Sequence, residues 1–279
     1  MKVQKISILA LPVMLAGCSA SKYVQEGEYI LNKVEVKSDS AAYDAGALKQ
    51  YVRQKEKPKL FSLFHNPFSK KPVVYDTLQA QLSCRDLLTA MQNQGFLHAG
   101  VTLQTTIYGQ EKTDSIAEKS RKKAPKVDVT YMLHPGEPFH IGKVEYDIED
   151  KNIEQILKLD NPENQKIKPG MRFTVDALDA ERKRIANRLL DDGYFRFNKD
   201  FIQFSADTIA GQKDIAVTLN LLKYKANSNA PETDHPRYEI RNISYQSNDS
   251  DRIHLRHRVL LNATAMEEGK PYSASALQR

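Results

Sequence analysis

Apolar residues alternate along three stretches of the chain and slip by one position at the same place in each. Phe139-x-Ile141-x-x-Val144-x-Tyr146 recurs 99 residues later as Tyr238-x-Ile240-x-x-Ile243-x-Tyr245, and 110 residues earlier as Tyr29-x-Leu31-x-x-Val34-x-Val36. Side chains of an extended chain point to opposite faces in turn, so a period of two is a half-buried strand. One extra residue in such a pattern is a β-bulge. The spacing therefore predicts three bulged strands, each opening one copy of a repeated unit.

A second block follows each strand. Gly170-x-x-Phe173-x-x-x-x-Leu178 reappears as Gly269-x-x-Tyr272-x-x-x-x-Leu277. Beyond Phe173, the residues Val175, Leu178, Ile185 and Leu189 form a helical stripe, interrupted by Arg182 and ended by Gly193-Tyr194-Phe195. Tyr75, Leu87, Met91 and Gly95-Phe96 are the matching block of the first copy, with the same 20-residue step from aromatic to glycine. A helix that stops on a left-handed residue prefers glycine there, because a side chain would clash. Gly95 and Gly193 are thus expected as structural helix C-caps, pairing Phe96 with Met91 and Tyr194 with Leu189.

Two strands follow each cap. Val101, Leu103, Thr105 and Ile107 alternate, then Val127, Val129, Tyr131 and Leu133. In the second copy Phe201 to Phe204 is less regular, and Ile215, Val217, Leu219 and Leu221 alternate cleanly. A short helical segment precedes each long helix, at Ala47 to Arg53, Ile153 to Lys158 and Ile253 to Leu260. The unit is β-α-α-β-β, and the fold class is α+β: a short mixed sheet with two helices on one face. The expected boundaries are 18–136, 137–224 and an incomplete third unit at 238–279. By the period, the third cap glycine would fall near position 292, so the chain reads as a fragment of a longer protein or a truncated gene. Residues 225–237 (KANSNAPETDHPR) read as a linker and possible hinge, whereas His134-Pro135-Gly136 joins the first two units tightly. The first unit carries an insertion at 55–71, where Leu60, Phe61, Leu63, Phe64 and Phe68 sit among lysines. It could pack back on the domain or dip into a lipid head-group layer. Residues 110–125 form a polar loop.

The N-terminus changes the picture most. Lys2 and Lys5 precede an apolar run from Ile6 to Ala16, and Leu15-Ala16-Gly17-Cys18 is a lipobox. About a dozen apolar residues are too few to span a bilayer but suit a secretory signal. Residues 1–17 are expected to be removed and Cys18 to carry lipid, several acyl chains giving firm anchoring. Ser19 stands where inner-membrane retention would call for an acidic residue, which points to the outer membrane. Cleavage lowers the formal charge from +6 to +4. Cys84, the only other cysteine, is left without a disulfide partner and is read as a small buried helical thiol. A pI near 9.0 would suggest nucleic acid for a cytosolic protein. An exported chain meets anionic head groups and acidic polymers instead, so no nucleic-acid partner is expected. The seven histidines include no HExxH set, and His254 and His257 read as surface residues. Asp191-Asp192 at a helix end reads as solvated. With no G-x-S-x-G or P-loop either, the chain is not read as an enzyme, and no metal or cofactor is expected beyond the lipid on Cys18.

Gly95-Phe96-Leu97 and Gly193-Tyr194-Phe195, with the strand starts at Phe139 and Tyr238, resemble the POTRA domain. The chain is similar to the POTRA region of the outer-membrane barrel-assembly superfamily of BamA and TamA type. It also resembles the lipoprotein (TamL-like) branch through Cys18-Ser19-Ala20-Ser21-Lys22-Tyr23-Val24 and Glu26-Gly27-Glu28-Tyr29. Two further segments carry that likeness, Leu178-Asp179-Ala180-Glu181-Arg182 and Phe197-Asn198-Lys199-Asp200-Phe201. The resemblance implies a periplasmic, lipid-anchored arm at the outer membrane. Such an arm would bind unfolded outer-membrane proteins or an envelope partner protein by β-augmentation, for insertion by a barrel that this chain lacks. The usual sheet order would make the second strand an edge, giving His98, Val101, Leu103, Thr105, Ile107, Phe201, Ile202 and Phe204 as candidate client-binding residues. The alternative is a stand-alone outer-membrane lipoprotein that scaffolds an envelope complex through the same edges.

Overall fold

The computed structural model describes residues 24–25, 27–57, 71–109, 124–208, 213–246 and 256–278. The signal segment, Cys18, most of the 55–71 insertion, the polar loop at 110–123 and His254 lie outside the described residues. The chain divides into two compact units: residues up to 88 with 100–134, and 89–99 with 135 onward.

The first unit contains β1 (Ile30–Ser38), a 3-10 helix (Gly46–Tyr51), α1 (Thr77–Asn93, whose last turn counts with the second unit), β2 (Gly100–Tyr108) and β3 (Lys126–His134). The sheet order is β1-β3-β2, with β3 parallel to β1 and antiparallel to β2. Leu31 pairs with Val127 but Lys33 with Asp128, so Asn32 is the extra residue. That is where the apolar alternation slips. Leu31, Val34, Leu48, Leu87, Val127, Val129, Tyr131 and Leu133 are buried. The first short helix is 3-10 rather than α. It has no side-chain N-cap hydrogen bond, and Val52 leaves it in extended conformation after six residues, a short piece of the kind in which 3-10 geometry is common. Arg53, just beyond it, is tied to α1 through its N–H on Ser83 Oγ (3.0 Å) and its guanidinium on Asp86.

The second unit repeats the plan with β4 (His140–Asp147), α2 (Lys151–Lys158), α3 (Val175–Asp191), β5 (Ile202–Thr208) and β6 (Asp214–Leu221). The sheet order is β4-β6-β5 and the bulge falls at Gly142, 110 residues after Asn32. The fold is α+β, with two small three-stranded mixed sheets. α2 and α3 have regular N-caps. Asp150 accepts from the Asn152 and Ile153 N–H groups, and Thr174 from Ala177. Ile153, Ile185, Leu189, Tyr194, Phe197, Ile202 and Leu219 form one core cluster, and Phe139, Ile141, Ile167, Ile215 and Val217 another. Val175, expected in the apolar stripe of α3, is exposed because it sits in the first turn, ahead of the buried Ile185 and Leu189.

One device occurs three times. In the first two copies the segment before the long helix crosses the start of the first strand and bonds to it on both sides; in the third, where the described residues 238–246 carry no assigned strand, the same pair of backbone bonds recurs. Leu31 and Tyr75 donate to Val73 and Tyr29 (both 2.8 Å), Ile141 and Phe173 to Met171 and Phe139 (2.8 and 2.9 Å), and Ile240 and Tyr272 to Lys270 and Tyr238 (2.9 and 3.0 Å). The third copy is described as this strap together with α4 (His257–Ala263) and α5 (Ala274–Leu277).

Residues 225–237, expected as a linker and possible hinge, are tied down. Tyr224 and Thr233 exchange two backbone hydrogen bonds of 3.0 Å, and His235 is buried behind them.

Candidate functional site: open sheet edges

In each sheet the central strand is the last in sequence, so β2 and β5 lie at edges with one row of backbone groups unpaired within the sheet. β1 and β4 are edges too, but the strap crosses the start of each. Each also carries a bulge and a run of charge: Lys33, Glu35 and Lys37 on β1, and Lys143, Glu145 and Asp147 on β4. Bulges and charges are the usual protection of an edge against another strand.

β2 has none of these. Its nine residues, GVTLQTTIY, hold no charge and no proline. Its pairing with β3 runs unbroken from Gly100↔His134 to Tyr108↔Lys126. Its two ends are anchored. Thr102 Oγ1 meets His134 Nε2 at 3.0 Å, and His134 Nδ1 meets Asp39 Oδ2 at 2.6 Å. Tyr108 donates its hydroxyl to Asp128 at 3.0 Å, which pushes the phenol pKa up. β5 is shorter and carries one charge, Asp207.

The candidate residues divide once placed. Val101 and Leu103 are half-buried, while Thr105 and Ile107 are exposed. His98 does not belong to the edge strand, which begins at Gly100. Its ring packs edge-on against Phe139, centroids 5.1 Å apart. Phe201 is likewise outside β5, closing a 3-10 turn (Lys199–Phe201) and packing on Phe197 and His235. Ile202 is fully buried and Phe204 half-buried, so both serve the core. Side chains that could meet an added strand are Thr105 and Ile107 on one face of β2 and the polar alternates Thr102, Gln104 and Thr106 on the other, with Gln203, Ser205 and Asp207 on β5, all exposed. Sequence reasoning followed the apolar positions and passed over the polar alternates, although period two assigns them the opposite face.

Both glycines sit at left-handed helix ends, with φ of +93° at Gly95 and +102° at Gly193. Phe96 N–H donates to Met91 O (3.1 Å) and Tyr194 N–H to Leu189 O (3.0 Å). Within the second unit the cap carbonyls also accept backbone bonds: Gly95 O from Phe139 N–H (2.8 Å), and Gly193 O from Tyr238 N–H (2.7 Å).

The segments Leu178–Arg182 and Phe197–Phe201 meet across an ionic joint. Lys199 Nζ lies 2.7 Å from Asp179, Arg182 Nε donates to Lys199 O at 3.1 Å, and Arg182 Nη2 is 3.5 Å from Asp200. Hydrogen bonds from Lys183 and Lys199 lower the Asp179 pKa to about 2. Beside them, fully buried Glu181 accepts from Lys166 N–H (2.6 Å) and from the Arg184 guanidinium, which also binds Asp160. Asp191 is not simply solvated. It accepts from Ser273 Oγ (2.9 Å) and Ser275 N–H (2.7 Å), at the start of α5. Cys84 is a half-buried helical thiol whose pKa burial pushes up. Among the described residues no group of His, Cys, Asp or Glu is arranged to hold a metal, and no helix is long and apolar enough to cross a membrane.

No protein-family model matches the chain, and no relative is found among curated proteins. Among solved structures it is similar to POTRA domains 3–5 of BamA from Haemophilus influenzae, at 14% identity, with 91% of this chain and 85% of that one covered and a TM-score of 0.39. It is similar to POTRA domains 1–2 of Omp85 from Anabaena at 14% identity, covering 73% of this chain and 100% of that one, with a TM-score of 0.32. CdiB from Escherichia coli is matched at 9% identity over 77% of this chain and 30% of its own, with a TM-score of 0.29.

Proposed function

We propose that this chain is the periplasmic arm of an outer-membrane protein assembly or translocation factor, built from tandem POTRA-like units and held at the membrane by lipid on Cys18. It acts as a binding protein without a catalytic centre. It receives unfolded outer-membrane proteins, or an envelope partner, by adding an extended segment of the client to an open edge. The observation that carries this reading is the nine-residue, uncharged, unbulged edge of β2 beside guarded edges on β1 and β4. Each added backbone hydrogen bond contributes about 0.5–1.5 kcal/mol net, and ordering the client offsets much of the total. Binding is therefore weak and tolerant of client sequence, which suits a receptor for many clients. The lipobox supports the lipid anchor, and residues 55–71 are a second membrane-facing candidate.

A photo-crosslinking amino acid at Thr106, at Ser205 and, as control, at Lys143 tests the edge reading. The probe is a purified outer-membrane β-barrel protein, unfolded in urea and diluted into the chain. Adducts should form at Thr106, more weakly at Ser205, and at background at Lys143. Equal labelling at all three sites refutes edge-selective capture. The anchor is checked separately, by the mass of the N-terminal peptide beginning at Cys18 in membrane fractions.

A further inference from the structure

His235 is buried, yet it lies in a stretch whose composition, with two prolines and four acidic or amide residues nearby, reads as loop. Its ring enters a shell formed by Phe197, Phe201 and Tyr224, with centroids at 4.9, 4.7 and 6.0 Å. Nε2 lies 2.9 Å from Leu222 O, which can only accept, so Nε2 carries the hydrogen in the neutral ring. The backbone N–H of His235 donates to Asp150 Oδ2 at 3.2 Å, while Asp150 Oδ1 caps α2. One residue thus joins the end of β6 and the turn before β5 through its ring, and the cap of α2 through its backbone N–H. Immediately beyond it, Arg237 Nε donates to Asp192 O (2.6 Å) and Tyr238 N–H to Gly193 O.

We infer that His235 is an acid-released pin that fastens residues 224–238 to the second unit. A second proton would go on Nδ1 and place a full charge inside the ring shell. The groups facing it are few. Asp150 before α2 and Asp234 on the same segment favour the charged ring. Glu149 is paired with Lys223 at 2.7 Å, and Arg196 is engaged on the Tyr224 hydroxyl at 2.9 Å. Three backbone N–H groups already occupy the Asp150 carboxylate. Burial outweighs the two carboxylates and holds the imidazole pKa below its ordinary 6.5. With the folded value depressed, the fastening is complete above about 6.5 and is lost as pH falls from there through the folded value. Release frees the Tyr224–Thr233 bridge and the anchors of Arg237 and Tyr238, giving an acid-dependent hinge where the neutral form is fixed.

Amide hydrogen exchange on the full chain tests this, with protection corrected for intrinsic rates at about pH 7.5 and about pH 5. Protection at Tyr224, Thr233 and Tyr238 should fall by roughly fivefold or more at the lower pH, while β6 amides hold. In His235→Gln, whose amide can still donate to Leu222 O, protection should not change between the two pH values. Unchanged wild-type protection overturns the inference, as does an equal fall in His235→Gln. Should the glutamine fail to seat at either pH, the NMR titration of His235 in the unaltered chain decides. A midpoint at or above 6.5, or one unrelated to the loss of protection, overturns it.

Discussion

Gly95 combines a φ of +93° with a carbonyl that accepts Phe139 N–H, and a Cβ there would collide with the backbone oxygen of Phe173. Gly170 shares the left-handed backbone, at φ +83°, but faces open space. The pair separates conformational strain from steric overlap. Gly170→Ala should cost about 1–2 kcal/mol, the left-handed penalty alone. Gly95→Ala should cost about 2–3 kcal/mol more, because backbone rather than a flexible side chain must yield. Urea denaturation of both variants measures the difference. Equal losses would mean that Phe173 moves freely. Asp179 gives a pH counterpart. Its carboxyl is held near 2 by Lys183 and Lys199 against an ordinary 3.8, so its pairs stabilise fully above about 3.8 and fail as pH falls toward 2. A carbon-detected titration should find its midpoint well below the ordinary 3.8. Glycine caps are legible because one residue type fits their geometry. The Asp179 joint was not, because its partner Lys199 is 20 positions away and no periodicity links them.

At the scale of elements, regular spacing was the readable part. Asn32 and Gly142 sit at the bulges because the apolar alternation itself slips there. The 3-10 helix at Gly46–Tyr51 was not readable as such, since a six-residue stretch carries too little pattern to separate it from an α-helical turn. The edge strands show the same limit. Period two identified both faces of β2, but not that the polar alternates Thr102, Gln104 and Thr106 are all exposed. Gln104→Lys with Thr106→Lys should therefore change stability by no more than about 0.5 kcal/mol, since both residues are exposed. The same double change should cut crosslinking of the unfolded barrel protein severalfold, by restoring the charge that guards β1. If crosslinking survives, the client is held elsewhere. α3 offers a contrast in kind. Glu181 is fully buried with Arg184 and Lys166 N–H as partners, so Glu181→Gln should destabilise by about 3–5 kcal/mol, largely by leaving the guanidinium short of charge.

Over the whole molecule, the 99-residue and 110-residue recurrences implied repeated units before any contact was known, and each of the two sheets carries the same parallel and antiparallel pairings. The allocation of residues 89–99 to the second unit was not legible, because it depends on Gly95 O meeting Phe139, a long-range bond with no signature in either segment alone. Each sheet buries its own set of apolar residues. Local cores of this kind open as separate cooperative units. Leu87→Ala and Ile215→Ala each remove a fully buried side chain, one from each core, at about 2–5 kcal/mol. Hydrogen exchange should then lose protection along β1 and β3 in Leu87→Ala while β4 and β6 keep theirs, with the reverse in Ile215→Ala. If either variant lowers protection equally in both sheets, the chain unfolds as one body, and the repeats are cooperative rather than a row of separately stable folds.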